Sequence, residues 1–206
     1  VCDTVDAPKP RRKEMTALDY PDVQRFLNVA VASPYGPFFF LSIYTGLRRS
    51  ELLGLRWSAV DLAHRTMSIT ETLQVVNGKG LMSLEPKTDR SRRLVSLAPD
   101  ALACLAGLKI KQCEQREALG MTWSESDFVF AHADGSPFYP NTVSKRFGEL
   151  VKKAGIPHVR LHDMRHTHAT LMLKEGVNPK TVAERLGHAS VVITLDTYSH
   201  VLPRLQ

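Results

Sequence analysis

Six side chains between positions 48 and 198 carry complementary chemistry: Arg48, Lys87, His162, Arg165, His188 and Tyr198. Two guanidiniums and an ammonium can bind and neutralise a phosphate. Imidazoles can move protons near neutral pH, and a phenol can act as a nucleophile once helped to lose its proton. That inventory suits attack on a phosphodiester by a tyrosine, without a metal ion. The six stand in four local contexts: TGLRRSELLGL (45–55), EPKTDRSRRLVSL (85–97), LHDMRHTHATLML (161–173) and RLGHASVVITLDTYSHV (185–201).

Each residue also has a plainer reading. Arg48 and Glu51 are three apart, the spacing of a surface helix pair, although Glu51 could instead orient Arg48 or Arg165. Lys87, with Arg90, Arg92 and Arg93, could be a charged hairpin edge or a turn that lays an ammonium on DNA. His162 and Arg165 share one helix face beside an apolar stripe of Leu161, Met164, Leu171 and Met172. His168 falls inside that stripe and reads as a core histidine. Tyr198 continues the stripe of Val191 and Leu195, as a packed tyrosine would. His162 and His166 have the i, i+4 spacing of a zinc site, with His188 or His158 as further ligands. Asp163 in place of a glutamate base and the charge of Arg165 weigh against zinc. His166 and His168 are therefore left off the catalytic list.

The elements that must position these groups follow from periodicity and punctuation. Thr16 reads as an N-cap, followed by helical spacing at Val23, Phe26, Leu27 and Ala30. A buried helix is predicted through Phe38–Tyr44, broken at Gly46, then a short helix near 50–55. From Thr66 the β-branched run TMSITETLQVV predicts a strand, and Asn77-Gly78-Lys79-Gly80 a hairpin. LMSLEPK and RRLVSL complete a three-stranded antiparallel sheet, with Lys87 near its second turn. Helices are predicted over 98–119, 141–154 (carrying Lys145 and Arg146), 160–175, from Asn178 to Gly187, and over 190–201. The fold class is α+β, mostly helical with one small three-stranded sheet.

The chain has 206 residues, 43% of them hydrophobic and 23% charged, enough for one large domain. No apolar run is long enough to span a bilayer, and positions 1–15 hold no signal-peptide core. Cys2, Cys104 and Cys113 cannot all pair within the chain and lack metal-ligand spacing, which suits a reducing cytoplasm. A net charge of +6 favours polyanionic partners. Residues 1–14, with Pro8, Pro10 and four basic side chains, read as a basic interdomain linker.

In order and wording the four segments resemble the tyrosine recombinase (phage integrase) family over residues 15–206, leaning toward integrases of phages and conjugative elements. TGLRRSELLGLRW is similar to the family's first arginine box, PKTDRSRR to its lysine hairpin, and LHDMRHTHAT to its H-x-x-R box. LGHAS and DTYSH are similar to its second histidine and its nucleophile. The resemblance implies a tyrosine recombinase/type IB topoisomerase-like catalytic fold that needs no cofactor and no metal. It implies Tyr198 as nucleophile forming a 3′-phosphotyrosine, His162 as general base and Lys87 as general acid to the 5′-oxygen. Arg48, Arg165 and His188 would hold the phosphate, with Arg90, Arg92, Arg93, Lys145 and Arg146 on the surrounding DNA. The implied partner is a double-stranded DNA recombination site, bound by a homotetramer of the full-length protein with an accessory directionality factor. An N-terminal DNA-binding domain would precede this chain, which alone is expected to be monomeric. A type IB topoisomerase and a catalytically silent DNA-binding module stand as alternatives.

Overall fold

The computed structural model describes residues 16–85, 92–119 and 127–199. The expected linker over 1–14, Lys87 and Arg90 lie outside the described residues. Eight α-helices, one short 3-10 helix (Trp57–Ala59) and five strands make up the described chain.

The first helix, α1 (Tyr20–Ala30), starts three residues later than Thr16 would require. Asp19 is its N-cap, accepting a hydrogen bond from Asp22 N at 2.9 Å, and Pro21 occupies the first turn. The next, α2 (Gly36–Thr45), is apolar nearly all round and buried as expected. Its stop is Gly46, whose φ of 65° places it in the left-handed region that a side chain resists. Helix α3 (Arg49–Leu53) follows directly, with Arg48 as its N-cap.

The run 66–76 does not form one strand. It divides into β2 (Thr66–Ile69) and β3 (Thr72–Val76), which enter different sheets. β2 lies between β1 (Val60–Asp61) and β5 (Arg93–Ser96), all antiparallel, so a three-stranded sheet exists with different members from those predicted. Among the described residues β3 pairs only with β4 (Gly80–Leu84), across the turn that Asn77-Gly78 signalled. The division falls at Thr70-Glu71, where backbone packs against Gly54: a Cβ on Gly54 would sit 3.0 Å from Glu71 C. Glu71 is then tied to Arg56 Nε at 2.9 Å and accepts from Ser83 Oγ at 2.6 Å.

Helices α4 (Pro99–Leu119), α5 (Pro140–Ala154), α6 (Asp163–Lys174), α7 (Pro179–Leu186) and α8 (Val191–Tyr198) complete the chain. α6 begins at Asp163 rather than Arg160, because the Asp163 carboxylate gathers Arg160 N, Nε and Nη2 at 2.7, 3.1 and 2.8 Å. This places His162 in the turn before the helix. α7 matches its signals: Asn178 caps, Pro179 follows, and Gly187 ends it in the left-handed region.

The main core is aromatic: Phe26 packs on Phe39 and Phe147 at centroid distances of 5.9 and 5.1 Å, and Phe38 on Phe130 at 5.0 Å. A second, smaller core holds Ala169, Leu173, Val182, Leu186 and Tyr198, and joins α6, α7 and α8. α6 contributes to both, through Met164 on one side and Ala169 and Leu173 on the other.

Candidate active site

The site assembles where helices end, because helix ends leave carbonyls without intrahelical partners. The C-terminus of α2 offers Tyr44 O and Gly46 O; that of α7 offers Arg185 O and Leu186 O. Three buried or half-buried arginines take them. Arg165 donates Nη1 to Gly46 O at 2.9 Å and Nη2 to Leu186 O at 2.6 Å. Arg93 donates Nε to Arg185 O at 2.8 Å, and Arg185 donates Nη2 to Tyr44 O at 3.2 Å. Cations at these negative ends are electrostatically favoured. Arg165 is only 5% exposed. Burial, with the charge of Arg48 beside it, pulls its guanidinium down to about 10, still charged at neutral pH.

Glu51 is the anion that balances this cluster, with a side chain 2% exposed. It accepts from Arg48 N and Nη1 at 2.9 and 2.7 Å, closing a capping box at the start of α3. Arg93 reaches both carboxylate oxygens, at 3.1 and 2.9 Å. Burial would raise the Glu51 carboxyl, but these bonds and charges, Arg93 first, hold it below the usual range. Glu51 therefore holds Arg48, while Arg165 is held by carbonyls instead. The Arg48 side chain keeps 39% of its surface exposed. It borders a groove of about 750 Å³ with His158, Arg160, His162, Asn141 and Ser144.

Four histidines lie in or under this cluster. His162 is exposed on the groove wall beside Arg48, and partial desolvation of its ring, then the charge of Arg165, lowers its pKa. His166 stacks edge-on to His162 with centroids 5.5 Å apart. His188 pairs its Nδ1 with the fully buried Thr194 Oγ1 at 2.8 Å. Burial first, then Arg165 and Arg48, push His188 down to about 4. His168 is the core histidine expected: 8% exposed, hydrogen-bonded to the Ile43 backbone and accepting from Arg185 Nε at 3.2 Å.

Tyr198 ends α8 with its ring in the second core and only 2% of its surface exposed. Its hydroxyl lies 2.7 Å from His166 Nδ1. Burial raises the phenol to about 12, against a smaller lowering by Arg165. The structure thus brings Arg48, His162, His188 and Tyr198 together around Arg165, and adds a group outside the six. His166, not His162, touches the phenolic oxygen. The available signal was that 162, 165 and 166 share a helix face.

The flanking basic residues separate into two kinds. Arg92 is exposed and pairs with Glu85 at 2.6 Å, and Lys145 and Arg146 face solvent on α5, Arg146 pairing with Glu149 at 2.8 Å. Arg93 departs from the expected DNA-facing set, since its side chain is 8% exposed and turned inward on Glu51. The alternation of β5 explains it: Arg93, Val95 and Leu97 share the inner face, Arg92 and Leu94 the outer. Arg49, which the sequence reading did not single out, ties α3 to α5 by donating to Ser144 Oγ at 2.7 Å. Among the described residues, no group of three or more His, Cys, Asp or Glu side chains could hold a metal ion. Nor is any described helix long and apolar enough to cross a membrane.

The phage integrase family matches residues 16–204, which takes in every residue of this cluster. The chain belongs to the phage integrase family. Among integrase relatives, the ICEBs1 integrase of Bacillus subtilis is 30% identical over 207 residues, covering 100% of this chain and 56% of its own length. A tyrosine recombinase XerC-like protein of Caldanaerobacter subterraneus is 30% identical over 177 residues, covering 81% of this chain and 45% of its own length. The chain thus spans about half the length of these two relatives. In three dimensions the integrase fold is plain. The Tn1549 transposon integrase, solved with circular intermediate DNA, superposes with a TM-score of 0.78 over 91% of this chain and 64% of its own, at 24% identity. The XerA recombinase superposes at 0.69 over 92% of this chain and 66% of its own, at 26% identity.

Proposed function

We propose that this chain is the catalytic part of a site-specific DNA recombinase of the integrase type. It cuts and rejoins duplex DNA through a 3′-phosphotyrosine on Tyr198 and serves the movement of a mobile element. The observation that carries this reading is the convergence of a phenol, three histidines and a second arginine around the buried Arg165, with Arg48 and His162 opening onto one groove, in a chain of this family.

The geometry supports the chemistry in parts. Arg48, oriented by Glu51 and open to the groove, can meet the non-bridging oxygens of a phosphate as charge builds in the transition state. Arg165 adds a fixed positive charge at the same place. His188, oriented by Thr194, is a further hydrogen-bond partner for that phosphate. Lys87 is assigned as acid to the departing 5′-oxygen by the resemblance of its hairpin. The tyrosyl ester conserves the energy of the broken bond, so the reverse attack by a 5′-hydroxyl needs neither ATP nor metal. With its oxygen covered and its proton firmly held, Tyr198 is at rest until DNA arrives.

The partner in this reading is double-stranded DNA, consistent with the relatives solved on DNA. Action as a homotetramer in the complete protein, an accessory directionality factor and a cytoplasmic setting belong to the same proposal.

A nicked suicide duplex tests it. The unsubstituted chain should form a covalent adduct that maps to Tyr198, and Tyr198→Phe should bind the DNA and form none. EDTA should leave the adduct unchanged. Arg48→Lys should lose most of the activity, because a point charge cannot keep both Glu51 and phosphate geometry. An adduct with Tyr198→Phe, or relaxation of supercoiled DNA without strand exchange, would sink the reading.

A further inference from the structure

We propose that His166 is a catalytic residue: its Nδ1 takes the proton of Tyr198 as the phenolic oxygen attacks phosphorus, and returns it when the DNA strand is rejoined. The inference rests on the recombinase reading above and moves one of its proton transfers to a different residue. The family pattern gives that step to His162. In this chain the contact is made by His166 instead, at 2.7 Å from Tyr198 Oη, within the reach required of a general base.

The two partners are brought together from different elements and held there. Tyr198 is fixed by the apolar side chains of Ala169, Leu173, Val182 and Leu186, and His166 projects from the same turn of α6 as Arg165. A neutral phenol has one proton to donate, and an imidazole carrying its own proton on Nε2 offers Nδ1 as the acceptor. His162 lies on the far side of His166, edge to face, and on the groove wall beside Arg48, where it meets the phosphate rather than the phenol.

The groups facing His166 set when the proton moves. They are His162, Asp163, Arg165 and Arg160 from α6 and its leading turn, Tyr198 from α8, and His188 from the turn before α8. Burial and the neighbouring His162 keep His166 at about 4, against about 12 for Tyr198. Without DNA the proton therefore stays on the phenol. A phosphodiester anion entering among these cations favours the imidazolium and lowers the cost of transfer.

The step balances as follows. The Tyr198 O–H bond breaks and its proton passes to Nδ1, giving an imidazolium. The oxygen lone pair forms the O–P bond, and the P–O5′ bond breaks with its electron pair leaving on the 5′-oxygen. That oxygen receives its proton from a separate acid, assigned above to Lys87. On rejoining, the 5′-hydroxyl oxygen forms the P–O5′ bond and returns its proton to the Lys87 amine, the P–Oη bond breaks with its electron pair leaving on Oη, and the imidazolium protonates that phenolate.

The test measures single-turnover adduct formation against pH on the nicked duplex. His166→Asn keeps an acceptor near the Nδ1 position without its basicity. It should bind DNA and melt as the unsubstituted chain does, yet form adduct at least about 10²-fold more slowly. It should also lose the rising limb of the pH profile. Replacing the bridging 5′-oxygen with sulfur makes a leaving group that needs no acid. It should restore Lys87→Ala and not His166→Asn. His166→Ala should recover in added imidazole; a folded His166→Ala that does not recover overturns the proposal. So does a His166→Asn rate within a few-fold of the original with an unchanged pH profile, or its restoration by sulfur. Absence of any Tyr198 adduct in the unsubstituted chain would instead overturn the recombinase reading itself.

Discussion

Arg93 grips Glu51 with a two-point fork, Nη1 on Oε1 at 3.1 Å and Nη2 on Oε2 at 2.9 Å, across 42 positions of sequence. The pair joins β5 to α3 with both side chains at least nine-tenths buried. Removing one partner leaves a buried charge with half its compensation. Arg93→Ala should therefore destabilise the fold by about 3–5 kcal/mol in urea denaturation without DNA. Arg93→Lys should recover part only, since an ammonium cannot span both oxygens and Arg185 O. The exposed neighbour behaves oppositely: Arg92→Ala should leave stability within about 0.5 kcal/mol and weaken DNA binding with a shallower salt dependence.

That contrast bears on what the sequence could reveal. Local punctuation was readable: Asn178, Pro179 and Gly187 bracket α7, Gly46 ends α2, and Asn77-Gly78 turns β3 into β4. Partner choice was not. The run 66–76 has strand character throughout, yet Glu71 reaching Arg56 and Ser83 decides that its halves pair differently. The candidate site was legible as an ordered set of boxes. His166 was missed because its partner, Tyr198, lies 32 positions away, while its i, i+4 relation to His162 invited a metal-site reading. Arg93 hid in a run of arginines, although its alternation with Val95 and Leu97 was there to be used.

Gly46 carries two constraints at one position. Its φ of 65° is left-handed, and a Cβ would lie 2.5 Å from His168 Cδ2 and 2.7 Å from Leu186 Cδ2. Its carbonyl also receives Arg165 Nη1. Gly46→Ala should cost roughly 2–4 kcal/mol, combining the αL penalty with overpacking. Because the strain falls on the carbonyl that holds Arg165, adduct formation in the fraction that remains folded should fall as well. Chemical denaturation and the nicked-duplex assay measure the two effects separately.

One buried and two half-buried histidines make the fold acid-sensitive. His166, His168 and His188 sit at about 4, 3 and 4, each lowered from 6.5 chiefly by burial. Between those values and 6.5 the unfolded chain binds more protons than the folded one, so stability rises with pH through that window. It is complete above about 6.5 and drains away as pH falls toward 4, where Glu51 and Asp163 begin to add their own loss. Tyr198 acts at the other end: raised to about 12, it withdraws stability as pH climbs above 10. Melting temperature should fall by roughly 5 °C or more from pH 7 to pH 5, and again above pH 10. A flat profile from 7 to 5 would contradict the neutral, buried state of these imidazoles.

Thr194 offers the cleanest separation of orientation from chemistry. It is fully buried on α8, one helical turn before Tyr198, and its hydroxyl meets His188 Nδ1 at 2.8 Å. That bond fixes the ring plane of His188 and occupies Nδ1, so that Nε2 is the atom left for a phosphate. Thr194→Val keeps the volume and removes the bond, leaving Nδ1 without its partner in a half-buried place. The loss should be about 1–3 kcal/mol in stability. It should also slow adduct formation about tenfold or more, as a misoriented phosphate partner would. Thr194→Ser restores the hydroxyl and should restore the rate, even though the missing methyl costs some packing. Rate recovery with Ser but not Val, at comparable melting temperatures, assigns the effect to His188 orientation; equal rates in both variants would show that the bond serves packing alone.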